Sequence, residues 1–134
     1  MSNDEFSHDI ALLKTKKTIK FDGFVEPIQL AYTPIVKNKV ATIAGFGYSE
    51  KMDFRPREGK VRLYYCGVRS GVLCSNGPVR SAKGDSGGPL IIDGQLSGVI
   101  STSCLNEYKT NNCRTVYVNI LENYLWINIT ISEK

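Results

Sequence analysis

The sequence has a single histidine, His8, and no long hydrophobic segment. No stretch of it approaches the roughly 18 to 20 consecutive apolar residues that cross a bilayer. Its first residues, MSNDEFSHDI, contain no apolar signal-peptide region, so the chain as written has no export signal. We therefore expect no membrane partner.

The sequence also lacks any dense run of charge. Its 17 Lys and Arg and 13 Asp and Glu leave a net charge of +4, and the basic residues are scattered along the chain. Such a distribution is typical of a solvated surface rather than of a nucleic-acid-binding stripe. With 134 residues, 42% of them hydrophobic, the chain predicts one domain over residues 1–134 and no nucleic-acid partner.

Cysteine is scarce and falls into two close pairs, Cys66 with Cys74 and Cys104 with Cys113. Close pairs predict two small disulfide loops and an oxidising, extracellular location, which conflicts with the missing export signal. Zinc binding is the weaker alternative, because the spacings are not C-x2-C and no histidine accompanies the cysteines. We expect no metal and no cofactor.

Short apolar runs separated by Gly, Pro, Asn and Asp predict an all-β domain. Asp93-Gly94, between PLII and QLSGVI, fits a two-residue hairpin turn that needs positive φ. The predicted strands are IALLK, KVATIAGFG, KVRLYYC, GVLCS, GPLII, QLSGVIS and TVYVNI.

The C-terminal segment predicts a helix. Asn119 can cap its N-terminus, and Glu122 follows three residues later, as in a capping box. Asn128-Ile129-Thr130 is an N-glycosylation sequon, but it lies seven residues after Leu121, on the predicted apolar face, which counts against occupancy. That face is predicted to consist of Leu121, Tyr124 and Leu125, with Trp126 beside them.

The stretch AKGDSGGPL, residues 82–90, places Ser86 in a turn too rich in glycine for a helix. Gly84 and Gly87 allow a sharp turn, in which the amides of Gly84 and Ser86 can point into one concavity suited to a developing oxyanion. The alternative is a glycine-rich β-turn that carries a surface serine.

GDSGGPL resembles the nucleophile motif of the trypsin/chymotrypsin-like serine proteases. DIALLK resembles the family segment that carries the triad aspartate, VEPIQL the stretch after it, AGFG the interdomain strand, and VYVNI with YLWI the closing strand and helix. The resemblance implies a partial peptidase domain: the second β-barrel of the two-barrel fold with its C-terminal α-helix, and an incomplete first barrel.

The resemblance implies a role for each matching residue. Ser86 is then the nucleophile, the amides of Gly84 and Ser86 the oxyanion hole, and Asp9 the carboxylate that orients a histidine. Asp85 resembles the buried aspartate that pairs with the freed N-terminus after zymogen cleavage. Cys66 and Cys74 resemble the disulfide before the nucleophile, while Cys104 and Cys113 are expected to pair locally.

The resemblance also implies an unusual specificity pocket. Arg80 stands where trypsin-like members carry the aspartate that binds Lys or Arg substrates, and a cation there repels basic side chains. A solvent-exposed loop position is the alternative for Arg80, since its loop is short. Ser101-Thr102-Ser103 replaces the usual Ser-Trp-Gly, and Thr115 stands where another wall glycine is usual.

The histidine of the family lies in an Ala-His-Cys motif well before the aspartate, and this chain has no such motif. In an extended segment neighbouring side chains point to opposite faces, so His8 is predicted to face away from the site if Asp9 faces it. Without a base, the chain alone is predicted to be inactive.

Three functions follow from the sequence. The first is a secreted serine endopeptidase, present here as a fragment, with protein or peptide substrates and protein inhibitors as partners. The second is a non-catalytic homologue that binds a protein partner through the same cleft. The third is a small disulfide-stapled secreted binding module in which GDSGGPL is a coincidence.

Overall fold

A computed structural model describes residues 6–49, 51, 53, 55–67, 71–102 and 113–133. Within them, eight strands precede one helix. They are β1 (Gln29–Leu30), β2 (Val40–Gly45), β3 (Arg57–Arg62), β4 (Tyr64–Tyr65), β5 (Val72–Asn76), β6 (Pro89–Ile92), β7 (Gln95–Thr102), β8 (Arg114–Asn119) and α1 (Ile120–Ser132).

The strands form one sheet in the order β3-β2-β6-β7-β8-β5-β4, in which neighbours are antiparallel, and β1 adds to β7 in parallel. Six of the seven predicted strand segments contain strands. IALLK, residues 10–14, was predicted as a strand and has no strand structure. A strand needs a neighbour to bond its backbone groups, and no described strand pairs with this segment.

The sheet curls so that strands distant in its order share one core. Val61 of β3 and Leu73 of β5 lie in the same buried cluster, although β2, β6, β7 and β8 separate their strands in the sheet. Apolar area removed from water in this way is the main source of stability. The buried members of the cluster are Ala41, Ile43, Val61, Leu63, Leu73, Leu90, Ile100 and Tyr117.

The hairpin between β6 and β7 has the predicted turn. Asp93 and Gly94 join the strands with φ values of 50° and 76°, and Ile92 pairs with Gln95. Positive φ at both turn residues matches the right-handed twist of the strands, which is why Asp-Gly is favoured there. The prediction is confirmed, and the hairpin fixes the strand that begins three residues after Ser86.

The helix α1 begins where predicted but packs through a different face. The Asn119 side chain accepts a hydrogen bond from the Leu121 amide at 3.1 Å, which confirms the N-cap. Leu125, however, is 72% exposed, because α1 docks through another set of positions. Among the described residues, no helix combines the length and apolar character needed to cross a bilayer. The buried side chains of α1 are Ile120, Asn123 and Ile127.

Candidate active site

The turn that carries Ser86 is fixed to the edge of β7. Gly87 donates its amide proton to the Ile100 carbonyl at 2.8 Å, and Ile100 donates to the Gly88 carbonyl at 2.9 Å. Gly84 and Gly87 have φ values of 97° and 85°, a region that side chains other than glycine rarely adopt. The glycines of the motif are therefore required by the backbone path, and Ser86 is exposed at the tip.

Asp85 holds this turn against the end of β2. One of its carboxylate oxygens accepts from the Gly47 amide at 2.7 Å, and the other accepts from the Ala82 amide at 2.8 Å. A Cβ at Gly45 or Gly47 would collide with the Asp85 carboxyl group. The two glycines of AGFG thus make room for the carboxylate, and the carboxylate links two segments that are distant in sequence.

Two hydrogen bonds join three residues singled out from the sequence, through different groups of Ser101. The Ser86 hydroxyl donates to the Ser101 carbonyl at 3.1 Å, and the Ser101 hydroxyl donates to the Asp9 carboxylate at 2.5 Å. Asp9 and Ser101 are 92 positions apart in sequence. The fold therefore brings Asp9, Ser86 and Ser101 together. The Ser86 hydroxyl donates its proton to a backbone carbonyl and not to a side-chain base.

The segment before Asp9 is attached to α1 by a buried residue, Asn123, which the sequence analysis missed. Its amide nitrogen donates to the Ser7 and Asn119 carbonyls, both at 3.0 Å. Its oxygen lies 3.2 Å from His8 Nδ1, and because the oxygen only accepts, His8 donates. A polar residue between apolar positions of a helix was the available signal.

His8 does not lie in the extended segment assumed in the sequence analysis. Residues 6–8 form a turn, in which Asp9 donates its amide proton to the Phe6 carbonyl at 3.3 Å and Ile10 donates to the His8 carbonyl at 2.8 Å. The alternation of faces therefore does not apply here. His8 and Asp9 instead have different hydrogen-bond partners, Asn123 and Ser101.

A buried polar cluster lies below the turn. Thr115 Oγ1 accepts from the Ser81 amide at 3.1 Å and lies 3.3 Å from the Ser81 hydroxyl. The Ser75 and Tyr117 hydroxyls are 2.7 Å apart, and burial raises the pKa of the Tyr117 phenol above its ordinary value of 10.0. These hydroxyls satisfy one another in a region that excludes water.

Arg80 is half-buried beside this cluster. Its exposure is intermediate between a cation inside a pocket and a solvent-exposed loop residue, the two alternatives considered from the sequence. Its Nη1 donates to Cys113 Sγ at 3.8 Å. Cys113 is itself disulfide-bonded, and Cys66 is bonded to Cys74 as predicted. Ser103 and Cys104, both singled out from the sequence, lie outside the described residues, and Thr102 ends β7.

An open cavity of about 850 Å³ runs from Ser86 to α1. His8, Asp9, Ser86 and Ser101 contribute its polar groups, while most of its wall is apolar. A cavity with apolar walls and a few convergent polar groups is a typical ligand site. In the part of the chain that the structure covers, no group of three or more His, Cys, Asp and Glu side chains is arranged to hold a metal ion.

Comparison with known proteins identifies the family. The family model Trypsin matches residues 1–127. Kallikrein 1-related peptidase b22 of Mus musculus is 29% identical, over 96% of this chain and 56% of its own length. Snake venom serine protease 3 of Craspedocephalus gramineus is 29% identical, over 98% of this chain and 57% of its own length.

A solved structure supports the fold independently. Neuropsin, a serine protease expressed in the limbic system of mouse brain, superimposes with a TM-score of 0.74 at 24% identity, over 87% of this chain and 59% of that one. The chain belongs to the trypsin family of serine proteases, and its all-β sheet with a closing helix is the trypsin-like fold. It spans about half the length of the relatives it matches.

We expect Asn123→Ala to lower the free energy of unfolding by about 1 to 3 kcal/mol, because it removes this donor from the half-buried Ser7 carbonyl and from the carbonyl of the buried Asn119. Asn128→Ala, at an exposed position of the same helix, is the matched control and should stay within about 0.5 kcal/mol of the original protein. Urea unfolding of both variants measures the difference. If both variants lowered the free energy of unfolding by the same amount, the result would show that Asn123 does not hold the Asp9 segment.

Proposed function

We propose that this chain carries the nucleophile and the orienting carboxylate of a serine endopeptidase site. Ser86 is the nucleophile, Asp9 is the carboxylate that orients the base, and the amides of Gly84 and Ser86 form the oxyanion hole. The observation that carries the proposal is a pair of hydrogen bonds at Ser101, one from the Ser86 hydroxyl to its carbonyl and one from its own hydroxyl to Asp9. They lie beside a glycine turn fixed by Asp85.

The proposed reaction proceeds through an acyl-enzyme. Ser86 Oγ attacks the scissile carbonyl carbon as its proton passes to a base, and the Gly84 and Ser86 amides bind the oxyanion that forms. The tetrahedral intermediate collapses, the base returns the proton to the leaving amine, and the peptide bond breaks. Water then attacks the ester by the same steps in reverse and releases the acid.

The base is proposed to come from outside these 134 residues. The one histidine of the chain, His8, is hydrogen-bonded through Nδ1 to Asn123 and not to Asp9, the proposed orienting carboxylate. The Ser86 hydroxyl donates to the Ser101 carbonyl and not to an imidazole. The relatives are nearly twice as long as this chain, so a further segment has room to supply a histidine beside Asp9.

A binding homologue without catalytic activity is the second candidate. It is favoured by one observation: within the chain, the Ser86 hydroxyl is hydrogen-bonded to the Ser101 carbonyl at 3.1 Å, which leaves the serine unactivated. Such a homologue would use the apolar cavity next to Ser86 to hold a protein segment. The two candidates differ in whether Ser86 reacts.

We place the protein outside the cell and assign it protein or peptide substrates, with protein inhibitors as partners. The bond between Cys66 and Cys74 and the disulfide-bonded state of Cys113 support an oxidising compartment. The relatives include a snake venom protease and kallikrein-related peptidases, which supports substrates of this class.

We expect a fluorophosphonate probe to label Ser86 in the protein isolated from expressing cells with antibodies against this chain, and to leave the isolated 134-residue chain unlabelled. Labelling needs a serine activated by a base, and we propose that the base lies outside this chain. Mass spectrometry of the peptide that contains Ser86 reads the site. Absence of label on the cellular protein would favour the binding homologue, while labelling of the chain alone would place a base within it.

The specificity pocket is proposed to exclude basic side chains. The position proposed as pocket wall holds Thr115, whose buried side chain accepts a hydrogen bond from the Ser81 amide, and a side chain there leaves less space for long substrate side chains than glycine would. Arg80 adds a positive charge next to it, and two cations in a partly desolvated pocket repel each other. Small or acidic residues before the cut are therefore the proposed substrates.

A peptide library varied at the residue before the cut, assayed with the protein that the probe labels, measures this preference. We expect cleavage after Ala, Ser, Asp or Glu to exceed cleavage after Lys or Arg by at least about tenfold, which corresponds to about 1.4 kcal/mol. Arg80→Asp should move the preference toward Lys and Arg, with Arg114→Asp, at an exposed position of β8, as the control. A preference for Lys or Arg in the unaltered protein would contradict the assignment of Arg80.

A further inference from the structure

The last turns of α1 present an N-glycosylation sequon, Asn128-Ile129-Thr130, at the surface. No other asparagine of the sequence has a Ser or Thr two positions later, so Asn128 is the one asparagine of this chain in the usual acceptor sequence. The predicted helix face placed Asn128 among buried apolar residues. The structure overturns that prediction, because Asn128 is exposed.

The exposure follows from the face through which α1 docks. Ile120, Asn123 and Ile127 are buried, and Asn128, one residue after Ile127, is turned about 100° around the helix from that residue. Leu125 is 72% exposed and Ile129 is 53% exposed, so the surface around Asn128 is open to solvent. Among the residues that the structure describes, a large polar group attached at Asn128 therefore meets no packed neighbour.

The local hydrogen bond of Asn128 is compatible with a glycan. Asn128 Nδ2 donates to the Tyr124 carbonyl at 2.9 Å. A side-chain amide has two N–H groups, and attachment of a sugar replaces one of them. The second still donates to Tyr124, so the modified residue keeps its contact and the helix keeps its path.

The position of the sequon near the end of α1 also gives a transferase access to the backbone. The helix ends at Ser132, and its last bonds run from Ser132 Oγ to the Asn128 carbonyl at 2.8 Å and from the Glu133 amide to the Ile129 carbonyl at 3.2 Å. Terminal turns open at low free-energy cost because few contacts hold them. The sequon can thus leave the helical conformation without unfolding the sheet.

We propose that Asn128 carries an N-linked glycan, which covers the exposed apolar side of α1. This inference rests on the extracellular location proposed above. Leu125 and Ile129 otherwise expose adjacent apolar surface, and such patches promote association. The glycan places a hydrated group over them.

The test directs the 134-residue chain into the secretory pathway of a eukaryotic cell with an added signal peptide. We expect a mobility shift of one glycan, removed by peptide-N-glycosidase with conversion of Asn128 to Asp. Asn128→Gln and Thr130→Ala should lose the shift, and Thr130→Ser should keep it. The mobility shift does not depend on Ser86, so the absence of a glycan would not bear on the proposed peptidase function.

Val40→Thr provides the matched control, because it turns Asn38-Lys39-Val40 into a second sequon at an exposed turn. A shift of two glycans in this variant supports the proposal. Modification at Asn38 while Asn128 stays unmodified would overturn it, since the chain would have entered the compartment and met the transferase.

Discussion

The site depends on the half-buried carboxylate of Asp85, which accepts hydrogen bonds from two backbone amides. Its two oxygens hold the Gly47 amide at 2.7 Å and the Ala82 amide at 2.8 Å, and so connect the end of β2 to the turn before Ser86. Charge-assisted bonds of this kind are stronger than neutral ones. The positive φ of Gly84 and the missing side chains at Gly45 and Gly47 are the conditions under which the carboxylate fits.

Around this link, the fold assembles the candidate site from distant parts of the chain. Asp9 reaches Ser101 at 2.5 Å across 92 positions, and Asn123 of α1 fixes the preceding Ser7 carbonyl at 3.0 Å. The helix thus positions the segment that carries Asp9, while β7 positions the turn that carries Ser86 through the backbone of Ile100. Side chains placed by several packed elements keep their geometry better than side chains held by one loop.

Local chemistry explains which features could be predicted from the sequence. The Asp93-Gly94 turn and the Asn119 cap depend on their immediate neighbours, and both are present in the structure. The predictions that IALLK forms a strand and that Leu125 lies on the packed face of the helix were wrong. Strand pairing and helix docking depend on partners that the local sequence does not specify. Asn123 was missed for the same reason, since two of its partners, Ser7 and His8, lie 116 and 115 positions away in the sequence.

The central claim is that Asp85 holds the serine turn to the end of β2, and amide hydrogen exchange in the Asp85→Asn variant tests it most directly. The substitution keeps the shape but replaces one accepting oxygen with a donor, so the account predicts exchange at least about tenfold faster at Gly47 or Ala82. Asp93→Asn, at an exposed ion pair with Lys39, is the control and should leave both amides unchanged. Unchanged protection at Gly47 and Ala82 in the Asp85→Asn protein would contradict the account.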